Sequence, residues 1–348
     1  MLKFIFWLSF LTVFYTFFGY PMVLSAWRAL RGKTIRKGRI FPSVSMVIAV
    51  YNEEKVIERK LANLLRLEYP PSLLEIILSS DGSTDRTEER IARWMEKSSG
   101  APPVRLLKSS AHAGKAAALN RGVEHARGEI LLFSDARQLL DSRSVLKLVS
   151  NFADPEVGAA SGELILLERK NGEAAVGIGL YWRYEKWLRK MESEIDSTLG
   201  ATGALYAIRK GLYEPIPADT ILDDVLIPMR IVFKGYRAVF EPEARAYDLL
   251  SSRTRNEFVR KVRTLAGNYQ LLWEVGALWS PKKNRLFFQY FSHKVARLIA
   301  PFMLVLLFFC NFFLLQGFYL VFLILQIIWY GLALWGGMSH EKAHAKAA

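Results

Sequence analysis

Two stretches of this chain carry no charged side chain: Phe4 to Trp27, and Leu298 to His340. A helix needs about 20 apolar residues to cross a bilayer, so the first stretch accommodates one crossing and the second two. Asn311, Gln316 and Gly317 interrupt the second run, which predicts a hairpin of 298–315 and 318–336 with a very short turn. The first run exceeds the roughly 7–15 residues of a signal-peptide core and no A-x-A site follows it, so it reads as an uncleaved anchor.

Basic residues set an orientation for these spans. Arg28, Arg31, Lys33, Arg36, Lys37 and Arg39 follow the first run with no acid among them. Because such flanks stay on the cytoplasmic side, the expected topology has the N-terminus outside, residues 40–297 in the cytoplasm and the C-terminus inside. This is the pattern of an integral protein of a bacterial-type inner or plasma membrane. The net charge of +14 then reflects contact with membrane lipids, and no zinc-knuckle or aromatic RNA-binding pattern points to nucleic acid. The single cysteine, Cys310, falls inside the hairpin and excludes an intrachain disulfide.

Between the apolar runs, strand-like and helix-like pieces alternate. VSMVIAV (44–50) is a continuous apolar run suited to a strand covered on both faces; VIERKLANLLRL (56–67) then places Val56, Ile57, Leu61, Leu64 and Leu65 at helical spacing. EIILSS (75–80) is again strand, and the next helix has Thr84 or Asp85 as its cap. VRLL, the Ala-rich KAAALNRGVEHA and EILLFSD continue the order. Repeated β-α-β units predict an α/β fold with a mostly parallel, doubly wound sheet, in which ligands bind beyond the carboxyl ends of the strands.

Three strand tips stand out on that rule: VYNE, SDGSTD and SDAR. All carry acids. VYNEE has no glycine-rich fingerprint, and Gly114-Lys115 is followed by Ala116 where a P-loop needs Ser or Thr. Carboxylates at strand ends can accept hydrogen bonds from a base or ribose, or hold a divalent cation that bridges a diphosphate. Lys115, opening a helix, is placed to meet a phosphate. Read one at a time, Asp81 and Asp85 are equally a turn and a cap, and Lys115 a solvated side chain; it is their position at three neighbouring tips that points to a nucleotide.

VSMVIAVYNEE, ILSSDGSTDRT, AGKAAALNRGVEHARGEILLFSDAR, GATGALYAIRK and LDDVLIPMRIVFKGYRAVFEPEARAY, in this order over roughly residues 42–265, resemble the successive motifs of the inverting family 2 glycosyltransferases of GT-A fold. The flanking apolar segments are similar to those of the membrane-embedded branch that includes cellulose, chitin and hyaluronan synthases and ceramide glucosyltransferases. The resemblance implies a UDP-sugar donor, with Tyr51, Glu53 and Asp81 holding its uridine, Ala49 lining the base pocket, Lys115 near the diphosphate, and Thr202 and Gly203 beside the sugar. It makes Asp224 the general base that activates the acceptor hydroxyl and Asp223 its supporting acid. Acids in a first helical turn also suit the helix dipole without any catalysis. The resemblance further implies that Asp135 is the first acid of an Asp-x-Asp motif and binds Mg²⁺ or Mn²⁺. Arg137 stands where the second acid belongs, so either Asp135 alone holds the metal or the guanidinium assumes part of the cation's work.

The organisation expected is an N-terminal transmembrane helix (1–31), a GT-A domain (40–252), basic amphipathic interface helices (253–297), a transmembrane hairpin (298–336) and a polar tail (337–348). Between Arg253 and Arg297 there are ten Lys or Arg against two acids, with Trp273 and Trp279 nearby, a composition suited to the membrane interface. Processive members have Gln-x-x-Arg-Trp here; this chain has Arg260, Arg263 and Thr264, losing the stacking surface. One sugar moved to a lipid, lipid-linked or glycan acceptor is therefore the economical reading, with Arg260 and Arg263 gripping the diphosphate or an anionic lipid head. A processive exopolysaccharide synthase subunit is the alternative enzyme, and a catalytically silent membrane scaffold the non-enzyme one. A homo-oligomer is left open. His340 and His344, four apart, read as a solvated end rather than a metal site.

Overall fold

The computed structural model describes residues 1–97, 102–170, 173–176, 179–249 and 254–345, with side chains at all of these except 168–170, 173–176, 254–257 and 337–345. The chain forms two compact units: 27–250 with 266–286, which contains the sheet, and 1–26, 251–265 and 287–348, which is helical. The side chains of His340 and His344, and the domain boundary at 252/253, lie outside what is described.

The sheet unit opens β1 (Val44–Val50), α3 (Ile57–Leu64), β2 (Leu74–Ser80), α4 (Thr87–Lys97), β3 (Val104–Leu107), α5 (Lys115–Glu124) and β4 (Ile130–Phe133), in keeping with the predicted alternation. It continues with β5 (Leu139–Leu140), α6 (Ser144–Val149), β6 (Val157–Lys170), β7 (Glu173–Val176), α7 (Leu180–Ile195), β8 (Tyr206–Arg209), α8 (Asp223–Phe233) and β9 (Arg237–Leu249). Strand order is β3-β2-β1-β4-β8-β6-β9-β5, with β7 added to β6. β1, β2, β3 and β4 pair in parallel, as the β-α-β reading expects. The other half is mixed: β8 runs antiparallel to both β4 and β6, while β6 and β9 are parallel.

Consecutive strands step outward from β1 to β3, and β4 then returns to the other side of β1. The order therefore reverses between β1 and β4, and a crevice opens at their carboxyl ends, where ligands of open α/β sheets bind. Met46, Ile48, Ile76, Leu78 and Leu132 are fully buried in the core beneath it. Burial on both faces is what their uninterrupted apolar runs require.

Beginning in the helical unit, α1 (Leu2–Phe14) and α2 (Tyr20–Arg31) join through a π-turn into one helix, Leu2–Arg31, whose last residues are assigned to the sheet unit. Short α10 (Phe287–Tyr290) and α11 (Ala296–Phe312) likewise form Phe287–Phe312, and α12 spans Phe318–Ala345. These are three helices long and apolar enough to cross a membrane, counting Phe318–Gly336 of the last. Phe6 is buried at their meeting point, packed on Tyr319 and Phe322 with Leu307 and Cys310. The turn of the hairpin passes through Gly317 at φ 52°. α9 (Thr254–Glu274) begins in this unit and ends in the sheet unit.

Candidate active site

Loops after β1 and β2 are stitched together by short polar side chains. Asn52 adopts φ 54°, which asparagine tolerates, and its Oδ1 accepts from the Thr84 amide at 2.8 Å. Asp85 accepts from the amides of Thr87 at 2.9 Å and Glu54 at 3.1 Å, so it caps α4. Burial pushes its carboxyl up, but these bonds outweigh burial and hold it below the ordinary range. Tyr51 is left exposed at the crevice, its ring stacked on His112 at 4.1 Å. Ala49, half-buried, lies opposite Ser79 in the register.

Asp81 is buried, and both carboxylate oxygens are in use: Oδ1 accepts from the Ala113 amide at 3.0 Å, Oδ2 from the Gly114 amide at 2.8 Å. His112 Nδ1 lies 2.8 Å from the same Oδ2. Here Asp81 fixes the loop that launches α5, and so aims Lys115.

Lys115 is the hub of the site. Its Nζ lies 3.0 Å from Asp135 Oδ1 and 3.2 Å from Asp223 Oδ1. Burial alone would depress its ammonium, but Asp135, Asp223 and Asp224 together push it above the ordinary lysine range. Asp135 lies just past the end of β4, whereas Asp223 and Asp224 open α8, far later in the chain. Folding brings Asp135, from the end of one strand, and Asp223, from the start of a distant helix, onto one cation.

Asp224 is held at both its backbone and its carboxylate by the loop before β8. Pro228 lies inside α8 and has no N–H for the carbonyl four residues earlier. That carbonyl, of Asp224, accepts instead from the Ala201 amide at 2.7 Å. The Gly203 amide donates to Asp224 Oδ2 at 2.9 Å. A Cβ at Gly203 would stand 3.3 Å from Asp224 Oδ2, 3.6 Å from Lys115 Nζ and 3.7 Å from Asp135 Oδ2, so glycine keeps the centre of the cluster open. Thr202 is anchored through its amide to Ser161 Oγ at 3.0 Å. Burial and the neighbouring Asp223 push the Asp224 carboxyl up to about 6, with Lys115 opposing them. A carboxyl shifted toward neutral pH is chemically able to take up a proton at that pH.

The loop leading into α8 is fixed from the other side by α9. Gly267 allows contact with Leu222, whose Cγ would be 2.5 Å from an added Cβ. Gln270 accepts from the Ile221 amide and donates to the Asp219 carbonyl, each at 3.0 Å.

Two groups missed in the sequence support this constellation. Lys60 is fully buried on α3, donating to Ser134 Oγ and the Gln138 carbonyl at 2.8 Å each, and burial pushes its ammonium down to about 7. It occupies the apolar stripe between Ile57, Leu61 and Leu64, an anomaly legible in the spacing. Tyr206, stacked on Phe133, donates to Asp223 Oδ2 at 3.4 Å; burial first, then Asp223, pushes its phenol well above the ordinary range. Arg137, on the β4 tip, meets Asp248 Oδ2 at 2.9 Å. Glu53 is half-buried, its amide bonded to Thr87 Oγ1 at 2.8 Å. Arg260 and Arg263 belong to the part of α9 assigned to the helical unit.

A mixed sheet whose strand order reverses at β1 and β4, with acids on its strand tips and a paired carboxylate at a helix start, has the architecture of the GT-A glycosyltransferase fold. Residues 45–216 match the model of the family "Glycosyl transferase family 2", and the chain carries a glycosyltransferase domain of that family. It is 24% identical over 233 residues to a poly-β-1,6-N-acetyl-D-glucosamine synthase of Staphylococcus aureus, a match covering 66% of this chain and 55% of the relative. With the Staphylococcus epidermidis synthase of the same name it shares 23% identity over 246 residues, 70% of this chain and 58% of the relative. The chain thus spans little more than half the length of the curated relatives it matches. A mannosyltransferase of Pyrobaculum calidifontis, solved with GDP-Man and Mn²⁺, superposes with a TM-score of 0.80 at 23% identity, covering 99% of this chain and 98% of that one. That likeness establishes the fold.

Proposed function

We propose that the chain is a membrane-bound inverting glycosyltransferase that moves one sugar from a UDP-sugar to a lipid, lipid-linked or glycan acceptor. The observation that carries this reading is Lys115 between Asp135 and Asp223, with Asp224 held by Gly203 beside them. One cation faces three carboxylates. Tyr51, Glu53, Ala49 and Asp81 are assigned to the nucleotide crevice, and Thr202 and Gly203 to the sugar. Asp224 takes the proton of the acceptor hydroxyl as its oxygen attacks the anomeric carbon, and the nucleotide diphosphate departs from the opposite face. Asp223, paired with Lys115 and accepting from Tyr206, holds Asp224's surroundings in place. Lys115 gives the leaving diphosphate a positive partner. Arg260 and Arg263 are assigned to phosphate, of the donor or of an anionic lipid head.

Among the described residues, no group of three His, Cys, Asp or Glu is arranged to hold a metal alone. The cluster nevertheless fits a divalent ion completed by substrate: Asp135 Oδ1 faces Lys115, while Oδ2 turns to the opening at Gly203. Mg²⁺ characteristically takes one or two carboxylates plus substrate phosphates. Asp135 would hold Mg²⁺ or Mn²⁺, which when bound neutralises charge on the diphosphate oxygens.

The membrane placement proposed has the N-terminus outside and the sheet unit in the cytoplasm, supported by the basic run after Trp27. A second reading, processive synthesis, is favoured by the names of the staphylococcal relatives. The test is nucleotide release by the purified full chain with UDP-Glc, UDP-GlcNAc and GDP-Man, each with Mg²⁺, Mn²⁺ or chelator. Release with a UDP-sugar, falling at least about 100-fold in Asp224→Asn, is expected. Failure to bind any nucleotide by calorimetry would sink the reading, and product length by mass spectrometry separates single from repeated addition.

A further inference from the structure

Arg137 and Asp248 form a pair that the sugar-transfer chemistry above does not use. Asp248 is buried at the end of β9, on the same inward phase as Ala244 and Ala246, yet it carries a charge. Its Oδ2 accepts from Arg137 Nη2 and from Gln138 Nε2, both at 2.9 Å. The neighbouring main chain is clamped as well, since Lys60 holds Ser134 Oγ and the Gln138 carbonyl, and Ser134 Oγ contacts the Ala204 carbonyl at 2.8 Å. The Ser134–Gln138 loop is therefore rigid on both sides of Arg137.

The guanidinium itself is not buried with its partner: the Arg137 side chain is 46% exposed against 4% for Asp248. Arginine carries five N–H donors in a planar fork, and the contact through Nη2 leaves the remainder of the fork for another acceptor. Its surroundings identify the crevice. Glu53, after β1, is lifted by burial, and the charges acting on it are Arg137, which opposes the lift, and then Asp135 and Asp85. Arg137 thus stands near the tips of β1 and β4, where the strand order reverses. A fixed, half-exposed guanidinium at this point matches the geometry of phosphate oxygens.

We propose, resting on the transferase reading above, that Arg137 binds the donor's diphosphate directly and that Asp248 is the positioning residue that aims it. The buried acid on β9 anchors the guanidinium beside Asp135, and the cation facing the diphosphate becomes partly protein. Nucleotide binding in this chain accordingly depends only weakly on divalent metal.

The experiment is calorimetric titration of UDP into the full chain in detergent, with Mn²⁺ and with excess EDTA. For the wild type, chelation weakens binding by less than about tenfold. Arg137→Ala weakens binding in EDTA by about tenfold or more, the worth of a charge-assisted phosphate contact, and less in Mn²⁺. Arg137→Lys recovers part of the loss. Asp248→Asn shifts the EDTA value in the same direction as Arg137→Ala, by a smaller factor, and raises the donor KM more than it lowers kcat. Arg137→Asp with Asp248→Asn makes UDP binding require Mn²⁺. If Arg137→Ala alone lowers the melting temperature below that of the assay, Arg137→Ala with Asp248→Asn removes both charges and gives the same comparison. Wild-type binding abolished by chelation, or unchanged EDTA affinity in the Arg137 variants, overturns the proposal and leaves the transferase reading standing. Absence of binding by UDP and by GDP in both conditions removes both.

Discussion

Replacing Lys115 by Met keeps the aliphatic stem and deletes the charge that opposes protonation of Asp224. The Gly203 Cβ position lies 3.3 Å from Asp224 Oδ2 and 3.6 Å from Lys115 Nζ, so the two charges are no more than their sum apart. At an effective dielectric constant near 20, unit charges about 7 Å apart interact by about 2 kcal/mol, or roughly 1.5 pKa units. Asp224 sits at about 6 with the lysine present. The acid limb of kcat/KM, which reports the free enzyme, should therefore rise to roughly 7–8 in Lys115→Met. Asp223→Asn removes the like charge that helps lift Asp224, and its limb should move below 6, opposite in sign. The assay is nucleotide release across pH 4.5–9 at low donor concentration, fitted for the ascending limb whatever the loss of absolute rate. A limb that stays in place in both variants, or moves the same way in both, would refute Asp224 as the titrating base.

Gly203→Ala should lower kcat by about tenfold or more while leaving the melting temperature nearly unchanged, because the added Cβ enters the space between Asp224, Lys115 and Asp135 rather than the core; a wild-type rate would show that this space is not used. Lys60 has a folded pKa of about 7, below its unfolded value near 10.5, so the unfolded chain binds more protons between them. Wild-type stability should consequently rise with pH across 7–10.5, its Lys60 contribution being lost as pH falls through 7, and Lys60→Met should flatten that slope in thermal unfolding curves.

Much of the strand-tip part of the candidate site is legible in the linear sequence because it is built from local structure. A strand buried on both faces needs an unbroken apolar run, and the residues just past the end of that run form the strand tip; VSMVIAV, LEIILSS and ILLF therefore locate Tyr51, Asp81 and Asp135 without knowledge of their neighbours. The charge-free run Phe4 to Trp27 within Leu2–Arg31, and that of Phe318–Gly336, are likewise intrinsic, since a charge-free helix of that length has few other environments open to it. Anomalies within a period were also present, in Lys60 on an apolar helix stripe and Asp248 on the inward phase of a strand, but a period shows only that such a group is buried, not what it meets.

Partnership was decided by the tertiary structure. Asp81 is an acid at a strand tip in the sequence, yet in the fold both its oxygens are taken by the Ala113 and Gly114 amides, and its effect reaches the site through Lys115. Pro228 reads as a defect in a helix until Ala201 is found donating to the carbonyl it leaves free. The antiparallel half of the sheet has no β-α-β rhythm to announce it, and it is this half, through β8 and β9, that carries the Gly203 loop and Asp248 to β4. The sequence by itself determined which acids stand at strand ends, because burial and chain direction are encoded locally. Only the folded chain decided that Lys115 binds Asp135 and Asp223 together and that Arg137 faces Asp248, because Asp223 and Asp248 lie far along the chain from their partners and the distances between them are set by the packing of the whole sheet.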